Sequence, residues 1–167
     1  MNKHLFIVGS ANNATEDVEC FLKQFPIDCR YMSVGLDACK LPYIWSYIAT
    51  YHPEEDIKGL LSIMKKQSEP YQIIGHKQVP YVDIVVPFEK PSGSSALLGS
   101  LAAIQMGFNK IILCGCPLQG VNDKKSPYEQ FHKGWEAKAD EVKPFVRSMS
   151  GWTAEFLGKP TIEWMNQ

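Results

Sequence analysis

The stretch from Ser92 to Gly120 constrains the fold of this chain most. Ile111-Ile112-Leu113-Cys114 is apolar without polar alternation, as in a strand covered on both faces. Before it, the spacing predicts a helix over Ser95–Met106 that buries Leu97, Leu98, Leu101 and either Ala102 or Ile104. Gly107 stands where a left-handed residue ends such a helix. Ser92-Gly93-Ser94-Ser95 leads into it as a turn of small residues. Turn, helix and doubly covered strand together call for a parallel sheet with helices on both faces.

The rest of the chain repeats this order. Leu5–Val8 reads as a strand, Gly9-Ser10-Ala11-Asn12-Asn13 as a turn, and Val18, Phe21, Leu22 and Phe25 as the core face of a helix stopped by Pro26. Asn13 and Glu16 have the spacing of a capping box. Cys29–Val34 is a second strand, with Gly35-Leu36-Asp37 as its loop, and Tyr43–Tyr51 is a third apolar run. Pro53 with Glu54, Glu55 and Asp56 opens a helix carrying Ile57, Leu60, Leu61 and Met64. Tyr71–Gly75 and Val82–Val86 are short strands. The last quarter reads as helical through Phe131, Trp135, Ala139, Val142, Val146 and Met149, broken at Pro144, with a further short helix over Trp152–Leu157. Five or six strands alternating with helices predict one α/β domain over residues 1–167. It has three layers, a mostly parallel sheet and a helical C-terminal region.

Composition narrows the function classes. The hydrophobic fraction of 45% over 167 residues is enough for a core without disulfide or metal support. A net charge of −1, with only the local pairs Lys65-Lys66 and Lys124-Lys125, gives no field to attract nucleic acid or a membrane surface. No apolar run has the length of a span or of a signal segment. Five cysteines, an odd number without a Cys-x-x-Cys pair, fit reduced thiols, so a cytoplasmic location is expected.

In open parallel sheets ligands sit beyond the carboxyl ends of the strands, near the point where strand order reverses. That rule gathers Gly9, Ser10, Asn12 and Asn13 after the first strand, Asp37 after the second, and His52 and Glu54 after the third. It adds Ser92, Gly93, Ser94 and Ser95, then Gly115, Cys116 and Gln119 after the last strand. A helix N-terminus with spare hydroxyls suits an anion, so Ser92–Ser95 is the expected phosphate contact. Gly9, Ser10 and Asn12 would approach a nucleotide, although the turn is neither a G-x-G-x-x-G fingerprint nor a Walker loop. Asp37 could accept a ribose hydroxyl. His52 is the candidate acid or base. The Glu54–Asp56 acids either hold Mg²⁺ against a phosphate or simply complement a helix dipole. Arg147 with Ser148, Ser150 and Trp152 could clamp a phosphate and stack a base. Cys114-Gly115-Cys116 is too tight for zinc, and no metal-ligand set is expected.

The run Ser92-Gly93-Ser94-Ser95, then Met106-Gly107-Phe108 and Ile111-Ile112-Leu113-Cys114-Gly115, resembles a pattern in Rossmann-like transferases. These are bacterial sialyltransferases of the Campylobacter type, motility-accessory-factor glycosyltransferases and the archaeal hydroxymethylpterin pyrophosphokinase. Ile7-Val8-Gly9-Ser10-Ala11-Asn12 is similar to their first turn, and the whole chain, including Val146–Thr153, looks like short phage and prophage proteins. The resemblance implies a Rossmann-like sheet and a nucleotide or nucleotide-sugar ligand, with or without Mg²⁺. Two positions depart from it. Ser10-Ala11-Asn12-Asn13 replaces Asn-Gly-Pro-Ser, and Gly115-Cys116-Pro117 replaces Gly-x-Asp, so the family's acid is missing. The expectation is therefore a binder of a nucleotide or phosphorylated small molecule, in one form a small transferase. The alternatives are a non-enzymatic interaction module and a pyrophosphokinase-like enzyme using ATP and Mg²⁺. Phe131, Trp135, Trp152, Phe156 and Trp164 either cover the sheet or form a face between copies of the chain.

Overall fold

The computed structural model describes residues 4–87, 94–119 and 128–167. The first strand, β1 (His4–Val8), leads into α1 (Ala14–Gln24), β2 (Arg30–Val34) and, after a 3-10 turn over Ala38–Lys40, β3 (Tyr47–Ala49). Then come α2 (Pro53–Met64), β4 (Gln72–Gly75), β5 (Ile84–Val85), α3 (Ser94–Gln105) and β6 (Lys110–Cys114). The chain ends with α4 (Tyr128–Ala137), α5 (Ala139–Val142), β7 (Val146–Ser148), α6 (Gly151–Leu157) and α7 (Ile162–Asn166).

The seven strands form one sheet in the order β5-β4-β3-β2-β1-β6-β7, and every pairing is parallel. The chain starts in the middle, winds outward to β5, then returns beside β1 to lay down β6 and β7. Strand order therefore reverses between β1 and β6. Period-two alternation lets each strand serve two cores. Leu5 and Ile7 pack with Leu97, Leu98 and Ala102 of α3 and Trp135 of α4. Phe6 and Val8 pack with Val18 and Phe21 of α1, Leu60 and Met64 of α2, and Trp164 of α7. The result is the expected Rossmann-like arrangement of helix layers around a parallel sheet. No helix among the described residues is long and apolar enough to cross a membrane.

Gly107 takes φ +87° after α3, in line with its predicted role as a helix terminator. Other expectations are corrected. Asn13 makes no side-chain capping bond to α1. Its amide donates to Ser150 Oγ at 2.9 Å and to Asp17, tying two loops together. The third apolar run supplies only Tyr47–Ala49 to the sheet, because Tyr43 instead stacks on Tyr31 and Trp45 donates its indole N–H to the Cys39 carbonyl. The helical stripe through Val146 and Met149 ends early. Val146 sits opposite Ile111 in β7, a seventh strand on the open edge of β6. Pro144, which lacks an N–H, lies just before that strand. Pairing with the exposed edge outweighs the helical periodicity of the segment.

Candidate functional site

A cavity of about 440 Å³ opens beyond the carboxyl ends of β1, β3 and β6, where strand order reverses. Its wall takes Gly9, Ser10 and Ala11 from the first turn, Tyr51 and His52 from the third strand end, and Ser94 and Ser95 from the start of α3. Gly115 to Gln119 line it from the loop after β6, and Tyr128 and Phe131 close it from α4.

Close backbone approach shapes the floor. A Cβ on Gly9 would lie 2.3 Å from the Gly115 carbonyl oxygen, so the loops after β1 and β6 touch only because residue 9 has no side chain. They are also bonded: Gly9 N–H donates to Cys114 O at 2.8 Å and Ala11 N–H to Gly115 O at 3.3 Å. The following carbonyls are engaged in turn. Cys116 O accepts from Thr153 Oγ1 at 2.8 Å, Pro117 O from Thr153 N–H at 3.4 Å, and Leu118 O from His132 Nε2 at 2.6 Å. The His132 ring stacks on Trp152 with 3.7 Å between centroids. These bonds hold Leu118 at φ +48°, a left-handed conformation costly for a branched residue.

Asp17 anchors this framework from behind. It is 7% exposed and has no cationic partner among the described residues, yet its Oδ2 accepts from Gly115 N–H at 2.8 Å and from Ser150 O–H at 2.7 Å. A buried carboxylate persists when hydrogen bonds replace its lost hydration. Asp17 thereby fixes the ends of β6 and β7 to the first helix. Sequence reasoning missed it, because an acid in the first turn of a helix looks like a complement to the dipole.

At the opposite wall, Ser95 Oγ accepts from Tyr51 N–H at 3.0 Å, joining the end of β3 to the start of α3. Tyr51 stacks on His76, with centroids 4.6 Å apart, and meets His52 edge-on. Burial draws the His76 imidazole below its usual range, and its Nδ1 is buried without a hydrogen-bond partner among the described residues. Ser94 has φ +81°, and its buried Oγ hydrogen-bonds nothing among the described residues.

The structure brings together Gly9, Ser10, His52, Ser94, Ser95, Gly115 and Cys116 around one cavity. Three other predicted residues do not line it. Asn12 is exposed beside the wall, because the chain turns outward into α1. Asp37 is exposed and pairs with Lys40 at 2.6 Å, since the loop after β2 folds into a 3-10 turn away from the opening. Arg147 sits inside β7, donates from Nη1 to the Lys143 and Val146 carbonyls and lies over the ring of Trp164, not on the cavity wall. Ser92 and Gly93 lie outside the described residues. Of the acids after His52, Glu54 pairs with Lys77 at 2.7 Å and Asp56 accepts from the Thr50 hydroxyl. Among the described residues no three His, Cys, Asp or Glu side chains converge as metal ligands would.

Burial, reinforced by the charge of Asp17, pushes the Cys116 thiol up to about 12. It is therefore held protonated and is no nucleophile at neutral pH. Cys114 is raised by the same burial. Titration of the folded protein with iodoacetamide at pH 8, read by peptide mass spectrometry, should modify exposed Cys20 and spare Cys114 and Cys116. Labelling of Cys116 as fast as Cys20 contradicts this assignment.

No protein-family model matches this chain, and no curated protein matches its sequence.

Proposed function

We propose that the cavity at the β1–β6 switch binds a nucleotide or another phosphorylated small molecule. The Ser94 hydroxyl carries this reading. It lies on the cavity wall in the first turn of α3, buried and without a partner among the described residues. An unpaired buried hydroxyl costs about 1–3 kcal/mol, and left-handed backbone at a non-glycine residue costs roughly 1–2 kcal/mol more. A phosphate oxygen at this point offsets the first cost and meets the N–H groups that any helix leaves open at its start. The hydroxyl of Ser95 accepts from Tyr51 and still has its own proton to donate. Tyr51, Tyr128 and Phe131 offer rings against which a base or sugar can pack. A volume near 440 Å³ suits a mononucleotide-sized ligand.

Binding is favoured over group transfer by one observation: no Asp or Glu is among the described residues of the wall, and the cysteine there is protonated. If transfer does occur, His52 serves as acid or base, and the rate comes from positioning.

The test is a thermal-shift screen with CMP, UDP, GDP and ATP, each with and without Mg²⁺. At least one ligand should stabilise the protein saturably. Ser94→Gly should raise the stability of the unliganded protein by about 1 kcal/mol, because it relieves the backbone. The same change should weaken the ligand about tenfold. Opposite signs in one variant separate a binding residue from a structural one. No shift from any nucleotide at millimolar concentration overturns the proposal.

A further inference from the structure

The end of the sheet opposite the cavity carries a second polar feature. Lys110 opens β6, and Arg147 lies in β7 across from Ile112. His4 of β1 is in register with Lys110. Strand alternation puts all three side chains on the face of Phe6, Ile112 and Cys114. There α7 lays Trp164 over them. Lys110 Nζ lies 4.9 Å from the indole centroid and Arg147 Cζ 5.0 Å from it. Lys110 is 7% exposed and Trp164 4%. The indole is fixed by its own N–H, which donates to Pro144 O at 3.3 Å.

The donors of this pair are only partly used. Arg147 Nη1 donates to Lys143 O at 2.6 Å and to Val146 O at 2.8 Å. Arg147 Nη2 and Nε and Lys110 Nζ make no hydrogen bond among the described residues, and neither cation pairs with a described carboxylate. Glu163, next to Trp164, is drawn below its usual range by its own backbone N–H and then by the Thr161 hydroxyl, not by a cation. Burial and then the Arg147 charge pull the Lys110 ammonium down, and burial does the same to Arg147. Burial and then Lys110 pull His4 down. Two partly desolvated cations that repel each other, with no carboxylate partner among the described residues, favour an anion that joins them.

We infer that Lys110 and Arg147, held over the ring of Trp164, form a second anion site that takes a phosphate group, either inorganic or as a monoester. Arg147 supplies the remaining part of a planar fork, Lys110 a point charge, and the indole face a dry wall. The site stands independently of the cavity at the other end of the sheet.

The test titrates the full chain, ¹⁵N-labelled, with sodium phosphate and with sodium chloride at equal ionic strength. A parallel arm uses glycerol phosphate. The four tryptophans give four indole N–H resonances, and Trp164→Phe identifies the relevant one. The Trp164 resonance should move saturably with phosphate and not with chloride. Lys110→Met and Arg147→Gln should each weaken the response about tenfold. Lys110→Met should also leave the unliganded protein no less stable. Arg147 is only partly buried, so its variant carries the test if Lys110→Met fails to fold. A tighter response to glycerol phosphate or to inorganic phosphate supports the site either way and tells the two sources apart. A Trp164 resonance that ignores millimolar phosphate, follows chloride equally, or responds undiminished in Arg147→Gln overturns the inference.

Discussion

Asp17→Ala should lower the unfolding free energy by about 3 kcal/mol, because the change strips partners from one buried and two partly buried donors at once. The Gly115 N–H and the Ser150 hydroxyl both end on Asp17 Oδ2, at 2.8 Å and 2.7 Å. The Asn13 amide reaches the same oxygen at 3.4 Å. Asp17→Asn keeps one carbonyl oxygen for both Gly115 and Ser150 and puts its amide at the Oδ1 position, where it meets the Asn13 amide 3.5 Å away. It should therefore cost only about 1 kcal/mol. Urea unfolding followed by circular dichroism measures both, with m unchanged if only the native state is affected. An alanine variant within 0.5 kcal/mol or so of the parent defeats the idea that this carboxylate holds the loops, given the usual scatter of neutral surface changes. Since the Gly115 loop is a cavity wall, the same variant should also lose its ligand-induced thermal shift.

Gly9→Ala should be at least as damaging, costing about 3 kcal/mol or more and in the limit abolishing folding. The new methyl would sit 2.3 Å from Gly115 O and 2.8 Å from Cys116 Sγ. Neither loop can retreat cheaply, because Gly9 N–H and Ala11 N–H bond both loops across the contact. Gly59→Ala in α2 is the matched control. Its methyl meets only the tip of Leu36, at 2.9 Å, which a rotamer change can relieve. Alanine also gains up to about 1 kcal/mol over glycine inside a helix. Equal stability losses for the two variants, measured by thermal unfolding, would falsify the close-approach argument.

The two halves of the cavity were not equally legible. The Ser94-Ser95 turn and the Gly9-Ser10 turn announce themselves, because small residues between a strand and a helix follow from local backbone requirements. Tyr51, Tyr128 and Phe131 do not, since an aromatic residue in an apolar run looks like any core residue. Asp37 and Arg147 show the converse. Each has a residue type that suits a phosphate or ribose, but Asp37 turns back to Lys40 and Arg147 lies on the ring of Trp164, away from the cavity. A rule that assigns ligands to strand ends says nothing about where the side chain then points.

The sequence by itself determined the class of this protein. Leu5–Val8 and Ile111–Cys114 are apolar on both faces, and turns and amphipathic helices lie between the strands. That pattern has few solutions other than a parallel sheet between helical layers. Only the tertiary structure decided that Val146–Ser148 is an edge strand, and only it brought Asp17 to Gly115, 98 positions away. These outcomes rest on pairing and burial between segments far apart in sequence, and such contacts leave no local period to read. The serine turn was visible in the sequence; the left-handed backbone of Ser94, and the burial of its hydroxyl without a partner among the described residues, were not.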